Sequence, residues 1–332
     1  MWRIAQRLKE QGVLGINRRN SAYALRYNPR KSYPLVDDKL KTKSLAIQAG
    51  IPVPKLYASI HTEHELKALE ALLAPYSDFV IKPAHGAGGD GILVITNRVF
   101  DRYRLINGEI WTLNDLAYHL SCLLSGVYSL SGHPDTAIIE RRVVVDSVFE
   151  SISHEGVPDI RVITLLGYPA MAMLRLPTRL SNGKANLHQG AIGVGVDMAT
   201  GLTRRAVLHH EAIEYHPDTL NLTSGIQVPY WDEILNISAS AYELTGLGHI
   251  GVDLVLDKTA GPLMLELNAR PGLNIQIANR RGLLLDYQAI EAEAETQGFS
   301  APVHERVAFS QALHGSRRKV LERADTLYLD GE

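Results

Sequence analysis

Cysteine is nearly absent. Cys122 is the only one in 332 residues, which excludes an intrachain disulfide and a cysteine-based zinc site. An excess of either charge is missing too: 34 Lys and Arg against 36 Asp and Glu leave −2. That is too little for the electrostatic footprint of a nucleic-acid binder or for a polybasic membrane anchor. No hydrophobic run approaches the ~18 apolar residues that span a bilayer. The opening Met1-Trp2-Arg3-Ile4-Ala5-Gln6-Arg7 lacks an apolar signal core, so secretion is not indicated and a cytoplasmic location is expected. No internal repeat or low-complexity tract is present. What is there is ordinary globular composition, 45% hydrophobic and 21% charged, enough to bury a sizeable core. The length suggests about two domains.

Local signals interleave hairpins with helices. A helix is predicted over Arg3 to Gln11, and Arg18 to Arg30 reads as loop. Asp37 or Asp38 can cap a helix that stops at Gly50. Thr62 with Glu65, and Thr112 with Asp115, have capping-box spacing ahead of leucine-rich helical patterns. Asp78 to Lys82 and Ile92 to Ile95 read as strands around a glycine-rich loop, and Ala137 to Val145 as another. Hairpins are predicted for 160–166 with 170–176, 191–196 with 202–208, and 250–256 with 263–268. Helices are predicted over Pro229 to Thr245 and Leu283 to Glu295. This order argues an α+β fold with antiparallel sheets, not an alternating βαβ sheet.

The loop His85-Gly86-Ala87-Gly88-Gly89-Asp90-Gly91 matches G-x-G-x-x-G, yet so do Gly246, Gly248 and Gly251. A dinucleotide site needs those glycines between a strand and a helix. Here the first match joins two strands. No Walker motif is present, and the His-Arg-Asp and Asp-Phe-Gly motifs of a protein kinase are absent. Two readings stay open: an ordinary hairpin turn with a solvated lysine, or a flap whose amides cover phosphate, with Lys82 supplying a point charge.

The second candidate is Gly251-Val252-Asp253-Leu254-Val255-Leu256-Asp257 followed by Pro262-Leu263-Met264-Leu265-Glu266-Leu267-Asn268. Strand alternation puts Glu266 and Asn268 on one face. A turn centred between Thr259 and Ala260 sets Asp253 directly across from Glu266. Two carboxylates and an amide oxygen without His or Cys suit Mg²⁺ or Mn²⁺, with nucleotide phosphates completing the shell. A solvent-facing acidic hairpin edge is the alternative.

Together these pieces resemble the ATP-grasp superfamily, and within it most of all the α-L-glutamate ligases that act on a ribosomal protein. The resemblance spans about Asp37 to Leu273 and its elements appear in the expected order. It implies an ATP-grasp fold in which two α+β subdomains grip ATP. Asp38-Lys39-Leu40-Lys41-Thr42-Lys43 resembles the first segment, where Lys39 would touch phosphate. Lys82 with His85, Gly86, Gly88, Gly89 and Gly91 resembles the phosphate-covering subdomain. Glu140, Arg141 and Val143 fall on the strand whose backbone contacts adenine. Asp159-Ile160-Arg161 and Asn186-Leu187-His188-Gln189-Gly190 resemble the acceptor region, and Arg175 and Lys184 stand where those enzymes carry basic residues. Asp253, Glu266 and Asn268 match the metal ligands, implying ATP with Mg or Mn, two ions in all.

The implied division is residues 1–36 as a helical and loop segment, 37–300 as the ATP-grasp domain, and 301–332 as a C-terminal tail. Within the grasp domain, about 52–138 would form the glycine-loop subdomain and about 139–300 the metal-binding one. Such families usually carry an α/β domain before the grasp core. Here only 36 residues precede it, so part of the acceptor site is expected to be either missing or supplied by a homo-oligomer or a partner protein. Arg270 replaces a small residue of the glutamate ligases and would alter which carboxylate is held.

The implied reaction is carboxylate–amine ligation. A carboxylate takes the γ-phosphoryl group to give an acylphosphate, and an amine displaces phosphate. The substrates would be an amino-acid or peptide carboxylate and an amine acceptor. Arg161, Arg175, Lys184 and Asn186 are the catalytic candidates. Asp159 either acts as a base or orients Arg161. A phosphotransferase on the same fold and a non-catalytic nucleotide-binding partner are the alternatives. His209-His210-Glu211 with Glu214 and His216 lacks zinc-binding spacing and reads as structural or solvated. Cys122 reads as core. Arg280-Arg281 is either an acidic-substrate contact or a solvated loop, and Arg317-Arg318-Lys319 is too small a cluster for nucleic acid.

Overall fold

The computed structural model describes residues 2–86, 88–129, 132–297 and 301–329; Ala87 of the glycine loop and residues 330–332 of the expected tail lie outside the described residues. The chain splits into two compact units, one formed by Asp37–Val144 and the other by Met1–Val36 with Val145–Glu332. No helix among the described residues is long and apolar enough to cross a membrane.

The smaller unit holds strands β1 (Leu56–Ile60), β2 (Phe79–Pro83), β3 (Leu93–Val99), β4 (Arg102–Leu105), β5 (Ile110–Thr112) and β6 (Ala137–Glu140). They pair antiparallel in the order β1-β6-β2-β3-β4-β5. The helix Leu113–Leu124 starts in a full capping box: the Thr112 hydroxyl accepts from the Asp115 N–H, and the Asp115 carboxylate accepts from the Thr112 N–H. Its Leu116, Leu120 and Leu123 pack with Phe79, Ile81 and Ile139 of the sheet. The Thr62 box forms only in part. Thr62 Oγ1 donates to Glu65 Oε1 at 2.8 Å, and the chain runs as a 3₁₀ helix, Glu63–Ala68, before the short α-helix Leu69–Leu73. β6 ends at Glu140, five residues short of the predicted strand.

The larger unit holds β7 (Asp159–Leu165), β8 (Tyr168–Leu176), β9 (Ile192–Val196), β10 (Thr203–Leu208), β11 (Glu211–Ile213), β12 (His249–Asp257) and β13 (Gly261–Asn268). Their order is β11-β10-β9-β8-β7-β12-β13, again antiparallel. On β7, alternation puts Asp159, Arg161, Ile163 and Leu165 on one face. Ile163 and Leu165 sit in a cluster with Ile275 and Ala278 of the helix Ile275–Ala278 and with Leu284, Tyr287 and Ile290 of the helix Leu284–Gln297. Apolar packing therefore holds one end of that face and leaves charged side chains at the other.

Arg18 to Arg30 was expected as loop, and residues 18–27 are helical instead. Ile16–Arg18 and Leu25–Tyr27 are α turns flanking a π-helical Arg19–Ala24. No Gly or Pro interrupts this stretch, so nothing local forbids helix. Tertiary contact decides it: Tyr23 is buried with its ring edge-on to Tyr287, centroids 4.6 Å apart. The segment also grips the end of the β12–β13 hairpin. Asn28 Nδ2 donates to the carbonyls of His249 (2.7 Å) and Ala269 (3.0 Å), and Arg19 Nη1 donates to that of Pro271 at 2.7 Å.

Candidate active site

In the smaller unit a single carboxylate holds two lysines. Lys82 Nζ pairs with Glu140 Oε1, and Lys43 Nζ lies 2.9 Å from Glu140 Oε2. All three side chains are buried. Register explains the first contact: Val80 of β2 faces Glu140 of β6, which leaves Lys82, two residues on, diagonal to it. Lys43 comes from the helix Lys39–Gln48, capped by Asp38, whose carboxylate accepts from the N–H groups of Leu40 and Lys41. Lys43 Nζ also donates to the Pro54 carbonyl at 2.5 Å. Burial pushes the Lys43 pKa down, against the pull of Glu140; burial would raise Glu140, but Lys82 and Lys43 outweigh it and hold it low. Lys43 was not among the predicted site residues. Its signal was the i, i+4 spacing from Lys39, which puts both on one helix face.

The other predicted residues of this unit surround the glycine loop. Lys39 Nζ donates to the Gly86 carbonyl at 2.5 Å. His85 Nδ1 lies 2.7 Å from Asp135 Oδ1. Gly88, Gly89 and Gly91 have φ of +67°, +81° and +74°, the left-handed region that favours glycine. A Cβ on Gly91 would sit 2.6 Å from the Tyr128 ring. Arg141 donates its N–H to the Lys55 carbonyl at 2.8 Å, and Val143 follows in irregular chain just past β6.

In the larger unit charged side chains form a row across four strands. Asp253 of β12 stands opposite Glu266 of β13 on one side and Arg161 of β7 on the other. Asp159 of β7 stands opposite Arg175 of β8. Arg161 grips Asp253 with two hydrogen bonds, Nε to Oδ1 at 2.6 Å and Nη2 to Oδ2. Arg175 grips Asp159 the same way, with Nη2 to Oδ2 at 2.5 Å, and its Nη2 also lies 3.0 Å from Asp253 Oδ2. Asn268 Nδ2 donates to Asp253 Oδ2 (3.2 Å) and Glu266 Oε1 (3.3 Å). Burial, with Asp253 competing for the same arginine, pushes Asp159 up to about 7. Burial alone would raise Asp253 too, but Arg161 and Arg175 hold it well below the usual carboxylate range. Burial disfavours charge on Arg175, yet Asp159 and Asp253 outweigh it and keep the guanidinium charged.

Three further placements matter. The Asn186 side chain accepts from the His188 N–H at 3.0 Å and caps the 3₁₀ turn Leu187–Gln189. Lys184 lies in the turn before it and donates its backbone N–H to the Ser181 carbonyl. Arg281 is bound bidentate by Asp286, at 3.1 and 2.6 Å, and so serves the fold. Among the described residues no three His, Cys, Asp or Glu converge as a metal site. The acidic hairpin fits a divalent cation on different grounds: two carboxylates in register and an amide whose oxygen can replace its nitrogen by rotation make an all-oxygen set. A cation there would share Asp253 with the two arginines.

The sequence matches the family described as sugar-transfer associated ATP-grasp over residues 18–292. The chain belongs to this ATP-grasp family. The match covers both units and the acidic hairpin, and the α+β architecture with its antiparallel sheets is that of the ATP-grasp fold. No curated protein matches the chain. Among solved structures it is similar to the ATP-grasp ligase PsnB complexed with minimal precursor, at 19% identity and TM-score 0.42, covering 80% of this chain and 62% of that one. It is similar to the D-cycloserine synthetase DcsG at 16% identity and TM-score 0.44, covering 80% and 73%. The D-alanine–D-alanine ligase of Bacillus anthracis complexed with ATP is similar at 14% identity and TM-score 0.43, covering 86% and 69%. This ATP-grasp chain thus spans about three fifths of the PsnB chain it matches.

Proposed function

We propose that this ATP-grasp chain is an ATP- and Mg-dependent carboxylate–amine ligase that works through an acylphosphate. The observation that carries the reading is the row of Glu266, Asp253, Arg161, Asp159 and Arg175, in which Asp253 and Asp159 are buried and the other three half-buried, with Asn268 bridging its acidic end. A carboxylate and a γ-phosphate repel each other, so ligation needs positive charge that is already in place. Arg161 and Arg175 are held rigid by bidentate carboxylate pairs, so with a divalent cation on the acidic end the row would turn net positive toward phosphoryl oxygens without reorganising. Lys43 and Lys82 hold nucleotide phosphate, and the glycine loop excludes water that would hydrolyse the acylphosphate. Asp253, Glu266 and Asn268 hold the metal, which supplies neutralising charge to the phosphates when bound. Lys39 supports this flap through the Gly86 carbonyl.

For substrates, the reading extends to an amino-acid or peptide carboxylate, glutamate among them, and an amine acceptor. The family's association with sugar transfer adds amino sugars and sugar acids to the first pool to try. The test is mass spectrometry after incubation with Mg–ATP and that pool, with Glu266→Ala as control. A new amide formed one-for-one with free phosphate is expected. A phosphorylated small molecule without amide would replace ligation by phosphotransfer, and bound but unconsumed ATP would reduce the chain to a nucleotide-binding module.

A further inference from the structure

The larger unit contains a cavity of about 280 Å³ bordered by the Leu187–Gln189 turn, to which no ligand has yet been assigned. Its floor is Val207 of β10, its walls are Leu187 and Ile277, and its rim carries His188, His209, His210 and Asn274. Register fixes where it lies. Asp159 faces Arg175, Arg175 faces Gly193 of β9, and Gly193 faces Val207. Residues directly opposite each other share a face. The floor is therefore on the same face as Arg175, two strand spacings or about 10 Å away, with only a glycine between. That glycine makes the wall: a Cβ on Gly193 would lie 2.9 Å from Leu187 Cδ2, so a larger residue would displace Leu187.

The rim breaks a local rule. β10 and β11 are joined by two residues, with Leu208 paired to Glu211. Such tight turns favour Asn-Gly or Asp-Gly because φ must be positive. Here the two residues are His209 and His210, and His209 sits at φ +55°. Left-handed backbone at a non-glycine residue is strained, and strain of this kind collects at binding sites. The imidazoles are exposed and do not form a metal site. No carboxylate lines the cavity, and each of its four polar side chains can donate an N–H.

We infer that this cavity binds the carboxylate substrate: a small carboxylate with an apolar flank, its anionic group on the imidazoles and Asn274 and its flank on Leu187, Val207 and Ile277. The inference rests on the ligase reading for its role, but not for its chemistry. Sugar acids and branched amino acids both present this chemistry, so the probes are D-glucuronate and L-leucine, with D-glucose as the uncharged control. The measurement is a titration of the histidine-labelled full chain followed by the ring C–H signals of His188, His209 and His210. Either carboxylate should shift all three saturably, and whichever binds identifies the source. His209→Gln or His188→Gln should each weaken binding about tenfold, the worth of one hydrogen bond to a charged group. Ile277→Trp, at a partly exposed helical position, should fill the cavity and abolish the response while circular dichroism stays that of the parent. Silent histidines with both carboxylates overturn the inference. So does an equal response to glucose, or a response that survives in Ile277→Trp. Mg–ADP binding is measured on the same samples. Nucleotide binding with silent histidines overturns the cavity alone, whereas responding histidines in a chain that binds no nucleotide support the cavity and remove the ligase reading.

Discussion

The two charged centres are built on opposite arithmetic. In the smaller unit two buried ammonium groups share one carboxylate, Glu140. In the larger unit three carboxylates, Asp159, Asp253 and Glu266, stand with two guanidinium groups. The first centre carries surplus positive charge and suits phosphate; the second carries surplus negative charge and suits a metal cation. The cations differ in kind as well. Lysine is a compact, strongly hydrated charge on a flexible stem, and its pKa yields to burial. Arginine keeps its proton and locks into planar bidentate pairs. A mobile point charge fits a ligand that comes and goes, while a fixed fork fits a surface that must not move.

The largest effect should come from breaking the negative centre. Asp253→Ala leaves the half-buried Arg161 without its partner and should cost about 3–5 kcal/mol, read from urea unfolding. A loss under 1 kcal/mol would mean that the row is not a coupled unit. Next is a pH effect confined to the larger unit. His249 is buried, and burial lowers its pKa to about 4. The unfolded chain takes up this proton near pH 6.5 and the folded chain only near 4. The stability it contributes is therefore full above 6.5 and is lost as pH falls towards 4. Between pH 7 and 4 the parent should lose about 3 kcal/mol relative to His249→Asn; parallel stability curves would count against this. In the positive centre, Lys43→Met and Lys82→Met should each weaken Mg–ATP binding roughly 10- to 100-fold. Lys39→Met, which removes a hydrogen bond to the Gly86 carbonyl, should weaken it only a few-fold; the reverse ranking by calorimetry would restore Lys39 as the main phosphate contact. The smallest effect is Asn186→Ala, which removes a turn cap and should cost about 1 kcal/mol in thermal unfolding.

Where a signal was local, it could be read. The Asp253–Glu266 pairing was expected from strand alternation and a turn centred between Thr259 and Ala260; the turn is centred on Thr259, with Asp257 facing Gly261, and a register shift between Asp253 and Leu254 restores the expected pair. The Thr112–Asp115 capping box follows from three-residue spacing. Residues 18–27 were misread because their helix is held by Tyr287 and Pro271, more than 250 positions away. Lys43 was missed because its partner Glu140 reaches it only through sheet pairing of β2 with β6 and helix packing.

The amino-acid string by itself determined which strands alternate, where helices start, and that two acids and an amide would meet on one hairpin, since each depends on neighbours a few residues apart. Only the tertiary structure decided that Arg161, 92 residues before Asp253, would lock onto it. It also decided that Val207 and Arg175 would share a face across Gly193. Pairing between distant strands is set by how whole sheets bury their apolar faces, and no short stretch of sequence encodes that.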